Sequence, residues 1–520
     1  MEQLVAIRTS EARDIAAPPV KHYERYRAKP FTKAERETTT LLFGGLTWKH
    51  ERLIQGALHN MKYKAEPLPN IAREDLASGK ELIDVGACCP TVFTTGNLVN
   101  FLKREVAAHG KERTLKKYVY MTAGSCGPCR FGQYHESYSM ALDGLGLRDF
   151  RMFLLAQDEL GQSETGGGLD MNLPLLLGMI WATLCADVIT DLEYATRPYE
   201  VIPGQTDAVL KECIEFMYTV FNDRPVRGKT LGALAWHLAT SYFTNALRTV
   251  RKKWDAIEVD RTRAKARVKI TGEFWLQTHE GDGNYNIKRW LEREDAEVAP
   301  PPVAVWLHYL MHPLIRKLET RNSHSKHPKR DETILKVVER LYVRTYNRLR
   351  KALADIPSEL PDQMELKRLA EPFYHFELRG GEGHMLIGKA LDAYHHKKAH
   401  MICELSPYSC MPNTMSVGSM ANVMGRYSDL LYAPIEVKGD AEVHALSRCQ
   451  MVLTEAKKRA RAQFEAVLQQ TGLTIDAIRK YETHHPELKR ASYKVPHKGY
   501  AGVSANYVLH LAHDRGLSRA

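Results

Sequence analysis

This chain of 520 residues has nine cysteines but only one Cys-x-x-Cys pair, Cys126/Cys129. A zinc site of four cysteines usually draws on two such pairs, so the missing one weakens that reading. No amino-terminal stretch joins a basic start to an apolar core and a small-residue cleavage site. The first forty residues are polar and basic, which argues against export and leaves a cytoplasmic protein as the expectation. In a reducing compartment the cysteines are not a disulfide framework, and clustered ones point to metal or redox chemistry. A membrane span is lacking too: the most apolar window, Leu173 to Ile189, is broken by Thr183 and Asp187 and reads as a buried helix. The net charge of +11 comes without a nucleic-acid-binding motif or aromatic-basic alternation. Nucleic acid is therefore not the expected partner, and an anionic small ligand or an acidic electron-transfer partner accounts for the charge at least as well.

What is present is an α/β pattern, repeated. Residues 1–38 read as an extended arm. From 39 to 263 apolar runs at Thr39–Leu46, Glu81–Gly86, Lys117–Thr122 and Arg151–Gln157 read as strands, with helices between and a helical block from about Asn172. From 264 to 470 strands are expected at Val268–Phe274, Met401–Leu405 and Leu431–Val437, with Ala296–Val303 extended and Pro-rich and a helical insert around Trp306–Leu369. Residues 471–520 form a tail, helical and then irregular. Strand–helix alternation at this spacing calls for parallel sheets, hence two Rossmann-like lobes with additional helical segments.

Each lobe carries a similar frame: Pro, five residues, Gly, three residues, Asn. It runs from Pro90 through Gly96 to Asn100, and from Pro412 through Gly418 to Asn422. Cys89 precedes the first frame and Cys410 the second, each after an apparent strand, so the two loops read as matching corners of a duplicated fold. Cys126 and Cys129 lie in a further strand-end loop. Beyond the carboxyl ends of parallel strands, thiols meet ligands and the positive ends of helices. Cys185 and Cys213, inside apolar helical patterns, read as core.

A zinc scaffold, a Cys126/Cys129 thiol oxidoreductase and merely buried cysteines at tight turns are open readings. An iron–sulfur cluster held by Cys89, Cys126, Cys129 and Cys410 fits best, since such clusters accept thiolates from distant loops. Cys88 is the alternative to Cys89, and the internal alignment favours Cys89. A larger double cluster would recruit Cys88, Cys403 and Cys449. Arg130, beside Cys129, could stabilise a reduced cluster or hold an acidic substrate group. Glu273, ahead of the Gly281–Asn286 loop, is a candidate acid/base, as is His384 after Gly380-Gly381-Glu382-Gly383. The 162–168 stretch (QSETGGG) could be a lid.

The run Gly127-Pro-Cys-Arg-Phe-Gly-Gln-Tyr134 resembles the signature of activase-related proteins of the 2-hydroxyacyl-CoA dehydratase and benzoyl-CoA reductase group. Phe43–Thr47, Cys89-Pro90, Gly272-Glu273, Gly281–Asn286, Leu405–Pro412 and Gly439–Glu442 extend the likeness from about residue 40 to 470. The resemblance implies a [4Fe-4S] protein with cysteines between two Rossmann-like lobes. It also implies a low-potential electron from an ATP-hydrolysing activase and an acyl-CoA-like substrate to reduce or dehydrate. The chain departs from larger relatives in lacking the nucleotide motifs of their ATPase part. Gly44-Gly45 is not a phosphate-binding loop, so ATP hydrolysis would belong to a separate subunit.

Overall fold

The computed structural model describes residues 30–84, 86–124, 129–156, 167–225, 230–319, 325–378 and 382–517. The first lobe contains β1 (Thr40–Phe43), α1 (Trp48–Asn60), β2 (Lys64–Pro67), α2 (Arg73–Leu82), α3 (Cys89–His109), α4 (Lys111–Lys117), β3 (Tyr118–Gly124), α5 (Tyr134–Gly144) and β4 (Arg151–Ala156). A helical layer follows: α6 (Leu173–Thr196), α7 (Gln205–Asn222), α8 (Thr230–Ala239) and α9 (Tyr242–Trp254). The second lobe starts with β5 (Ala266–Gly272), α10 (Phe274–Thr278), α11 (Ile287–Arg293) and β6 (Ala296–Ala299). It continues through α12 (Val303–Glu319), α13 (Pro328–Ala352), α14 (Gln363–Ala370), α15 (His384–His395), β7 (Met401–Pro407), α16 (Met411–Arg426), β8 (Leu431–Val437) and α17 (Glu442–Thr471). Two helices close the chain, α18 (Ile475–His484) and α19 (Val503–His513).

Both sheets are parallel, and both have the same order. The first runs β2-β1-β3-β4 and the second β6-β5-β7-β8. The order reverses beside β1 and β5, which opens a crevice beyond the carboxyl ends of the central strands in each lobe. The two Rossmann-like lobes are therefore topological copies.

The duplication does not run through the two Pro/Gly/Asn frames. The residues read as a strand at Glu81–Gly86 include the end of α2, and the second strand of the lobe is β2, which the polar Lys64–Pro67 segment had hidden. In consequence Cys88 and Cys89 open the helix that precedes β3, whereas Cys410 opens the helix that follows β7. By strand order, Cys410 matches the Cys129 loop, and the Cys88/Cys89 corner matches Glu382 at the start of α15.

The frame residues also do different work. A Cβ on Gly96 would lie 1.8 Å from the carbonyl oxygen of Asp75, so glycine lets α2 and α3 touch there. Asn100 Nδ2 donates to Asp75 Oδ1 at 2.8 Å across the same contact. Gly418 has nothing within 4 Å, and Asn422 is exposed. The shared spacing is one of two helix starts, not of two equivalent corners.

Capping residues set several helix starts. Thr47 accepts from His50 N, Asn172 from Leu175 N at 3.1 Å and Asp362 from Met364 N at 2.8 Å. The apolar helix α6 is long and apolar enough to cross a membrane by composition, but most of it is buried inside the protein. Its Leu, Val and Ile side chains join α1, α7 and α9 in the largest apolar cluster, where Cys185 and Cys213 are also buried, as their helical patterns implied.

The lobes share a second apolar cluster. Ile71, Leu76, Cys89, Val92 and Phe93 pack with residues of β5, β7, β8, α10 and α17. Buried charges cross the same boundary. Lys49 of α1 pairs with Glu193 of α6 and, at 2.7 Å, with Glu280 of the second lobe. The tail differs from expectation. Its irregular stretch lies in the middle, and the chain returns as α19, whose Tyr507, Val508 and Leu511 pack under α17.

Candidate thiol and carboxylate site between the lobes

Cys88 is the N-cap of α3, Cys89 its first residue and Pro90 its second; Cys410 is the N-cap of α16 and Pro412 its second residue. In helix register, then, Cys88 matches Cys410, and the alignment argument for Cys89 does not hold. The side chains agree. Cys88 Sγ lies 3.0 Å from Thr91 Oγ1, and Cys410 Sγ donates to Asn413 Oδ1 at 3.3 Å, each three residues along. Cys88 also sits 3.3 Å from the Tyr134 hydroxyl, while Cys89 is in the apolar cluster between the lobes.

Ser409 Oγ donates to the carbonyl of Gly86 at 3.3 Å, holding the Cys410 loop against the Cys88 loop. Cys129 caps the short 3-10 turn Arg130–Gln133. Cys126 lies outside the described residues, as do residues 162–166 of the lid segment.

The electrostatics show which groups are neighbours. Burial raises the Cys129 thiol to about 12, and Glu382, Glu273 and Cys88 act in the same direction. Burial also raises Cys410, with further contributions from Glu273, Glu382 and Cys129. Cys89 is raised by burial, then by Cys88 and Glu273. Four thiols from two lobes thus lie near one another and near two carboxyl groups, with Cys88, Cys89 and Cys410 buried and Cys129 half-buried.

Those carboxyl groups come from the second lobe. Glu273 follows β5 and is the N-cap of α10, accepting from Leu276 N at 2.9 Å. Burial and then Glu382 raise its pKa to about 8. Glu382, fully enclosed at 3% exposure, accepts from Phe274 N at 2.5 Å and is likewise raised by burial. At this turn it is Glu382, not the expected His384, that faces Glu273. The signal was available, since a carboxylate between glycines at a helix start is a place for a ligand-facing group.

His384 turns the other way. Its ring meets Tyr309 at 5.7 Å, and burial followed by the charges of Lys367 and His312 lowers its pKa to about 4, so it belongs with α12 and α14 and not with the thiols. Arg130 is exposed, and its guanidinium reaches toward Gly86 at the mouth of the thiol region.

The Gly281–Asn286 loop is turn structure. The Asn284 amide donates to Leu276 O at 2.7 Å and His279 O at 2.8 Å, and Asp282 accepts from Arg73 N at 3.1 Å. Tyr285, at φ 60, accepts on its hydroxyl from Lys438 N and Gly439 N at 2.9 and 3.1 Å. The loop therefore ties the lobes together beside the site. Cys403 and Cys449 form a separate pair in the core of the second lobe, both 0% exposed, with Cys403 raised by its hydrogen bond to Cys449.

The donor set fits a soft metal centre. Bare thiolates in so dry a place are disfavoured, and a positively charged metal is what makes them favourable. The starts of α3 and α16 also turn their positive ends to the same region. No protein-family model matches this chain, and no curated protein does either.

Proposed function

We propose that this protein is a cytoplasmic iron–sulfur protein and the redox component of an ATP-driven, low-potential electron-transfer system. A cluster of the [4Fe-4S] kind would be held by Cys129 and Cys410 with Cys88 or Cys89, and by Cys126 from the same loop as Cys129. The observation that carries this reading is the meeting of thiols from both lobes with Glu273 and Glu382 in one dehydrated region. Such a cluster supplies single electrons at low potential.

The chain's own residues supply the rest. Glu273 and Glu382 disfavour each other's ionisation, so the pair keeps a proton near neutral pH that either carboxyl oxygen could pass to a bound acyl group. Arg130 stands at the exposed edge, where it would meet an acidic substrate such as an acyl-CoA. The apolar cluster around Cys89 keeps water from the buried side. An activase-type ATPase is the electron donor this reading calls for.

The test is purification without oxygen, with iron, acid-labile sulfide and zinc measured together. Brown protein with near-equimolar iron and sulfide is the expected result. A colourless preparation containing zinc alone would replace this reading with a zinc-stabilised scaffold.

A further inference from the structure

We infer that His308, His312 and Glu339 bind a divalent transition-metal ion, in the wall of a cavity suited to an anionic co-ligand. This site is remote in sequence and chemistry from the thiols. His308 and His312 are four residues apart on α12, so both imidazoles leave the same helix face. On α13, Glu339 Oε1 lies 2.9 Å from Nε2 of His308 and 2.9 Å from Nε2 of His312. The three ligand atoms all fall within 4.8 Å of one another. Two imidazole nitrogens and one carboxylate oxygen suit zinc, iron or a similar ion at bonds of about 2.0–2.2 Å, with coordination positions left open.

An acceptor oxygen between two imidazoles is also a sound structural contact, so the triad needs independent support. The cavity supplies it. A space of about 770 Å³ opens between α12, α13 and the start of α14, lined by all three residues. Gln363, only 3% exposed, lines it as well, and neither end of its amide has a hydrogen-bond partner among the described residues. Asn347 Oδ1 and His308 Nδ1 are unpartnered in the same way. Leaving buried polar groups unpaired is unfavourable, and a ligand in the cavity would relieve it. Arg340 and Arg344 stand one turn apart on its rim, and neither forms an ion pair among the described residues. Guanidinium groups so placed suit a carboxylate or phosphate that completes the metal's coordination.

Cobalt(II) is the probe, because its spectrum separates the two sets of ligands. Full-length protein, stripped with chelator and handled without oxygen, is titrated with cobalt. Nitrogen and oxygen ligation gives visible d–d bands, whereas thiolate ligation adds an intense near-ultraviolet charge-transfer band. The expected result is a d–d component that persists in Cys410→Ala and is lost in Glu339→Gln and His312→Ala. Removing a direct ligand should weaken affinity by more than the roughly 10–100-fold seen for second-sphere partners. Both substituted positions keep some solvent contact, and circular dichroism checks folding; Glu339→Gln, nearly isosteric, carries the test if His312→Ala unfolds. Cobalt that gives only the thiolate signature, or bands unchanged in Glu339→Gln, would overturn the site. Inorganic phosphate added to the cobalt protein should shift the bands, less so in Arg344→Gln; an unmoved spectrum would overturn the anionic co-ligand.

Discussion

Glu273→Gln tests the carboxyl pair directly, because the structure assigns its effect a sign that changes with pH. The Glu273 carboxyl is held at about 8 against an ordinary 4.5, first by burial and then by Glu382. An acid with a raised pKa in the folded state binds its proton more tightly there than when unfolded. Its stabilising contribution is complete below about 4.5, falls as pH rises toward about 8, and is level beyond. At about 1.4 kcal/mol per unit the full gap is roughly 5 kcal/mol. Glu273 keeps some solvent contact and shares its shift with Glu382, so about 3 kcal/mol is the better expectation. Glutamine cannot ionise, but it also caps α10 poorly, at a cost of about 1 kcal/mol. In chelator-treated protein the variant should therefore be less stable than the natural chain near pH 4.5 by about 1 kcal/mol. Near pH 8 it should be more stable by about 2 kcal/mol. Urea midpoints measured for both proteins across that range give the difference. A variant weaker at every pH, or a difference that does not change sign, would refute the buried carboxyl pair.

Other expectations concern the same interface and its surroundings. Cys129→Ala and Cys410→Ala should lose most of their iron under anaerobic purification, whereas Cys185→Ala, buried in the α6 core, should keep it; iron analysis per chain decides. Lys49→Met removes the buried cation between Glu193 and Glu280, of which Glu193 keeps its pair with Arg197, and should cost about 3 kcal/mol in chemical unfolding, the low end for broken buried pairs. Gly96→Ala forces a Cβ against the Asp75 carbonyl and should destabilise by about 1–3 kcal/mol. Its partner in the sequence frame, Gly418→Ala, meets no neighbour inside α16 and should stabilise by roughly 0.5–1 kcal/mol, so thermal melts of the two variants should move in opposite directions.

Local patterns made much of this molecule legible. Strands β1, β3 and β4 are largely apolar runs, as parallel strands covered on both faces tend to be, while β5 and β8 interleave polar Arg267, Lys269 and Glu436 with buried apolar residues. α6 could be read as a buried helix for a related reason: its apolar residues leave no polar face. The cysteine loops stood out because Pro and Gly at a helix start have a local backbone cause. The short edge strand β2, Lys-Ala-Glu-Pro, escaped notice since an edge strand need bury little, and Glu81–Gly86 took its place in the reading. That single displacement produced the false equivalence of the two frames.

Alternation of strand and helix, the apolar runs and the caps were enough to determine two parallel α/β lobes. They do so because backbone hydrogen bonding and side-chain burial are satisfied locally, element by element. Which residues meet was decided only by the tertiary structure. Glu382 and not His384 faces Glu273, and His308, His312 and Glu339 converge across a helical hairpin. Those pairings depend on how helices cross and how one lobe docks on the other, over separations of up to hundreds of residues that no spacing in the chain records.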